Sequence, residues 1–60
     1  MVRYEVRKNP DNQYRTVFDI ETNAPAFIND MPMDRLEELE AEQVLELIKA
    51  AFIEPKKFVG

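Results

Sequence analysis

Glu38, Glu42 and Glu46 recur at four-residue intervals, and Asp34 and Glu37 stand just ahead of them. A row of carboxylates can do three kinds of work. It can share protons in a hydrolytic site, gather oxygen ligands around a hard cation, or present negative charge to a basic partner. A calcium loop needs a glycine at its sharp turn and closely spaced ligands, and Asp30, Asp34, Glu37 and Glu38 meet neither need. Hydrolysis needs a cleft that excludes water, for which 60 residues leave little space. What remains is a solvated helix face or a docking surface, in spite of a like-charge penalty of roughly 0.2–0.5 kcal/mol per pair at this spacing.

The second charged group is basic. Arg3, Arg7, Lys8 and Arg15 surround the turn signal Asn9-Pro10-Asp11-Asn12. Residues 1–15 carry four positive and two negative side chains, whereas residues 16–46 carry nine acidic ones and one arginine, within a net charge of −4. Nucleic-acid readers display a clear basic excess because phosphate neutralisation dominates their affinity. A net of +2 over residues 1–15 is thin for that task. Nucleic acid is therefore not the expected partner, and a small nucleic-acid-binding β-ribbon is the weakest of the functional alternatives. The arginines suit the outer face of a hairpin, where a protein carboxylate is the natural counterpart. The acidic row suggests a different alternative, an inhibitor that imitates phosphates and blocks an enzyme handling DNA or RNA.

Composition excludes much other chemistry. Cysteine, histidine and serine are all absent. That removes disulfides, thiolate metal sites, thiol catalysis and the usual general base. Hydroxyl groups come only from Thr16, Thr22, Tyr4 and Tyr14, and no phosphate loop or dinucleotide fingerprint occurs. The expectation is a non-enzymatic protein with no catalytic residue, cofactor or metal. The opening residues lack the apolar run of a signal peptide and no stretch resembles a membrane span, so a cytoplasmic protein with no membrane partner is expected.

The elements that hold these residues are readable from periodicity. Val2, Tyr4 and Val6 alternate with Arg3, Glu5 and Arg7, and Tyr14, Thr16, Phe18 and Ile20 alternate with Gln13, Arg15, Asp19 and Glu21. Period two marks strands with one buried face. Val17 is the apolar exception on the polar side. A three-residue loop with Asn12 in a left-handed bulge would set Tyr4 opposite Phe18, Val6 opposite Thr16 and Arg3 opposite Asp19. Residues 23–33 form a connection in which Phe27 and Ile28 pack as a short extended piece beside the sheet.

Residues 34–53 contain neither glycine nor proline, and they predict one continuous helix capped by Asp34 with Glu37 and stopped by Pro55. Asp30 is a second possible cap. Val44, Leu47, Ile48 and Ala51 form the expected core stripe, widened by Leu45 and Phe52, with Leu36 and Leu39 off to one side. The predicted architecture is α+β: residues 1–60 as a single small ββα domain, an antiparallel β-hairpin with room for a short third strand, packed on one long C-terminal helix.

One helix on a narrow ribbon cannot cover so broad an apolar arc, and so short a chain buries only about 60% of its unfolded surface. Leu45, Phe52 and Phe58 are then candidate apolar anchors for a partner, with Arg3, Arg7, Lys8 and Arg15 as one polar surface and Glu38, Glu42 and Glu46 as the other. The expected function is a non-catalytic protein–protein interaction or regulatory module. It would act as a homodimer or in complex with a larger protein.

Overall fold

A computed structural model describes residues 3–56. Its fold is α+β, with an antiparallel sheet and one helix on its C-terminal side. Strands β1 (Tyr4–Lys8), β2 (Arg15–Asp19) and β3 (Ala24–Pro25) form the sheet in that order. A second, two-stranded sheet joins β4 (Phe27–Ile28) to β5 (Met31–Pro32). Helix α1 spans Glu38–Lys49 and packs on β1 and β2.

The hairpin closes one residue later than its turn signal predicts. The Asn9 N–H donates to the Tyr14 carbonyl at 2.9 Å. The Asn12 side chain accepts the Tyr14 N–H at 2.8 Å instead of letting Asn12 enter the left-handed region. That side-chain turn is a common alternative for asparagine. Tyr4 consequently faces Asp19, Glu5 faces Phe18, Val6 faces Val17 and Arg7 faces Thr16. A one-residue change of register exchanges the two faces of a strand. Val17, the exception in the pattern, becomes the fully buried centre of the core, while Phe18 lies across from Glu5 and beneath the Arg7 guanidinium, 4.6 Å from its ring centroid.

Strand β2 is central because its second edge is also occupied. Arg15 and Leu36 exchange backbone hydrogen bonds of 2.8 and 3.1 Å, and the Val17 N–H reaches the Met33 carbonyl at 2.9 Å. The Ala26 N–H donates to the Val17 carbonyl at 2.8 Å, and β3 completes the edge. Phe27 and Ile28 are extended, as expected, but as β4 they pair with β5 in a hairpin of their own. Asn29 and Asp30 have φ of 52° and 64°, the left-handed pair that a two-residue hairpin loop demands and that these residue types tolerate.

Sheet pairing also explains why α1 is shorter than the predicted helix over 34–53. Residue Leu36 is held extended against Arg15, so the helix cannot begin at Asp34. Glu37 is the N-cap instead, and its N–H donates to the Glu40 carboxylate at 3.2 Å. The other end stops well before Pro55. Ala51 takes φ 61°, its N–H donates to the Ile48 carbonyl at 3.1 Å, and the Phe52 N–H donates to the Leu47 carbonyl at 3.0 Å. This is the Schellman arrangement, built on alanine where glycine is usual. Lys49 in the last turn faces the negative end of the helix dipole.

The core is small. Val17, Ala26 and Ala41 are buried, with Tyr4, Val6, Met33, Leu36, Val44 and Ile48 packed against them. Ala41 has no bulk beyond Cβ, which lets the helix lie close to β2. Leu47, Ala51 and Phe52, expected in or beside the core stripe, are exposed. Ala51 and Phe52 leave the helix at the left-handed turn, and Leu47, one turn beyond Val44, sits at the margin of the core-facing side, 42% exposed.

Candidate interaction surface

Leu39, Gln43 and Leu47 follow one another at four-residue steps and therefore share one face of α1. With Glu42, Glu46, Ala50 and Phe52 they line an open groove of about 540 Å³. Its apolar side chains are wet: Phe52 is 77% exposed, Leu39 68% and Leu47 42%. The Schellman turn creates the lower end of the groove, because left-handed Ala51 reverses the chain and brings Phe52 back beside Leu47. Apolar contact between those two positions commonly accompanies the motif.

The carboxylates flank this apolar floor. Glu42 and Glu46 line the groove itself. Glu38 is exposed one turn upstream and approaches Arg15 at 3.8 Å, and Glu46 approaches Lys49 at 3.7 Å. Glu42 has no ion-pair partner among the described residues. The predicted row of Glu38, Glu42 and Glu46 thus stands beside an apolar stripe, not on a uniformly polar helix face.

The basic side chains are differently placed. Arg3 donates to Asp19 at 3.0 Å and to Glu21 at 3.2 Å, and lies 5.4 Å from the Tyr4 ring centroid. Loss of water around the Arg3 head group works against its charge. The Asp19 hydrogen bond and the nearby carboxylates outweigh that loss, so its pKa is held above the ordinary value. Asp19 is nearly buried, and its other carboxylate oxygen accepts the N–H groups of Glu21 and Thr22 at 3.0 and 3.4 Å. It thereby shapes the turn into β3. Arg7 pairs with Glu5 beside it, and Arg15 with Glu38. Lys8 is exposed at the end of β1. Most of the hairpin's positive charge is therefore already matched within the fold.

Of the predicted apolar anchors, Phe52 lines the groove, Leu45 is half-buried and does not line it, and Phe58 lies outside the described residues. Sequence reasoning assigned Leu47 to the core, left Leu39 to one side, and passed over Gln43 and Ala50. The signal that would have found them is the four-residue step from Leu39 to Gln43 to Leu47, read as a second stripe centred well away from Ala41 and Ile48. Among the described residues no group of three or more acidic side chains is arranged to hold a metal ion, and no helix is long and apolar enough to cross a membrane. No family model, curated protein or solved structure matches the chain.

Proposed function

We propose that this protein is a non-catalytic interaction module that works by docking the outward face of α1 on another protein surface. The observation that carries the reading is the imbalance between its two helix faces. The inner face meets a core in which, among the described residues, Val17 is the only large, fully buried side chain, while Leu39, Leu47 and Phe52 are exposed. Apolar side chains gathered along one groove are characteristic of binding surfaces, whereas isolated exposed ones are ordinary. The paired state of Arg3, Arg7 and Arg15 favours this reading over nucleic-acid binding, since matched cations have less to gain from phosphate.

The test compares two surfaces of the intact chain. Recovery of associated protein by a tagged wild type is measured against Leu39→Glu and Phe52→Glu on the groove and Lys8→Glu on the hairpin. Circular dichroism verifies that each variant is folded. Association should be lost in the groove variants and kept in the hairpin variant. Equal recovery by all of them, or loss confined to the hairpin variant, would overturn the proposal.

A further inference from the structure

We infer that the occupant of the α1 groove is a basic amphipathic helical segment of another protein, not a second copy of this chain. The inference rests on the docking role proposed above and specifies the chemistry of its partner. Three features of the groove lead to it.

The first is shape. From Leu39 to Ala50 the stripe runs along α1 for about 16 Å, or three turns. Its floor is formed by side chains at helical spacing, which a partner helix matches with apolar residues at its own three- and four-residue steps.

The second is charge. Residues 37–50 hold five glutamates and one lysine, and two of those glutamates line the groove. Two copies packed groove to groove would gather ten glutamates against two lysines around one apolar seam. Like charges brought together in this way select against a pairing. The same rim repels an anionic lipid surface. Lysine or arginine on the flanks of an incoming helix removes the conflict and steers the encounter.

The third is Gln43, an amide set in the middle of the apolar stripe. A single polar side chain within such a seam fixes register by penalising partners that leave it unmatched. The expected segment therefore places a polar residue at its centre, between apolar residues.

The probe is a labelled peptide of about four helical turns. It carries leucines at helical spacing, one central glutamine and lysines on both flanks. A twin peptide has glutamates in place of the lysines. Binding to the full chain is followed by fluorescence anisotropy at low and high salt. The lysine peptide is expected to bind about tenfold or more tightly than its twin at low salt, with the gap narrowing as salt rises. Replacing both rim charges, Glu42→Gln with Glu46→Gln, weakens it by about three- to tenfold. Leu39→Ser weakens it by a similar or larger factor without changing the fold.

Equal binding of the two peptides overturns the inference, as does lysine-peptide binding that ignores Leu39→Ser. A concentration-dependent dimer in sedimentation, dissolved by Leu39→Ser, also overturns it but leaves the docking role intact. Failure of both peptides to bind, together with a monomer at every concentration, counts against the docking role itself.

Discussion

Two neighbouring alanines at the end of α1 should respond to glycine in opposite directions. Ala51 sits at φ 61°, where the Cβ of an L-residue crowds the following carbonyl. The left-handed region costs a non-glycine residue roughly 1–2 kcal/mol. Glycine removes that penalty but makes the unfolded chain more flexible, which returns about 0.4–1 kcal/mol. Ala51→Gly should therefore stabilise the protein by about 0.5–1 kcal/mol.

Ala50 is the C-cap at φ −82° in the ordinary right-handed region. Glycine gains nothing there, so Ala50→Gly should cost about 0.5–1 kcal/mol. Urea unfolding by circular dichroism reads both changes. With a slope near 1 kcal/mol per molar for so small a domain, the two midpoints should separate by about 1 M or more. The sign matters beyond stability, because the same turn presents Phe52 to the groove. Ala51→Gly should keep peptide affinity, whereas Ala51→Val, which forces a β-branched residue into this region, should lower stability and affinity together. If Ala51→Gly is destabilised as much as Ala50→Gly, the left-handed turn and its placement of Phe52 are both refuted.

Other substitutions test the remaining elements. Val17→Ala should cost about 2 kcal/mol, a large share of the few kcal/mol available to a domain of this size, and thermal denaturation will register it as a lowered, broadened transition. Asp19→Ala should cost about 1–2 kcal/mol by leaving the Glu21 and Thr22 N–H groups without their acceptor, and faster amide exchange at those two positions would verify the cause. Leu39→Ser should change stability by no more than about 0.5 kcal/mol, since its side chain is mostly in water, and a larger loss in urea unfolding would mean that Leu39 belongs to the core.

The alternation of Tyr4 and Val6 with charged neighbours correctly located β1, and the turn residues Asn9 to Asn12 correctly located the hairpin. What alternation could not reveal was how one asparagine would satisfy its backbone. The Asn12 side chain binds the Tyr14 N–H, the loop lengthens by one residue, and Val17 exchanges places with Phe18. Pattern reading favoured the strand face with more apolar residues. The fold instead buries Val17 against Ala41 and Asp19 beneath Arg3 and two backbone groups, with Thr16 buried on the other face and Phe18 left partly exposed.

The helix was readable as a helix, but its ends depended on contacts distant in sequence. Leu36 was lost to sheet pairing with Arg15, and Ala51 turned left-handed without the glycine that usually marks such a stop. Those end effects also determined the candidate site. A helix continuing to residue 53 would have kept Phe52 on the helical cylinder, so the groove follows from a terminus that propensity alone does not reveal. The acidic row was visible from spacing alone; its position beside an apolar floor was not.

The proposed docking through the outer face of α1 can be tested residue by residue by titrating the isotope-labelled full chain with the lysine-flanked peptide and following its backbone amide resonances. The signals of Leu39, Gln43, Leu47 and Phe52 should move in step with saturation while those of Ala26 and Asn29 stay in place. Shifts running along Tyr4 to Lys8, with the helix signals unmoved, would contradict the proposal.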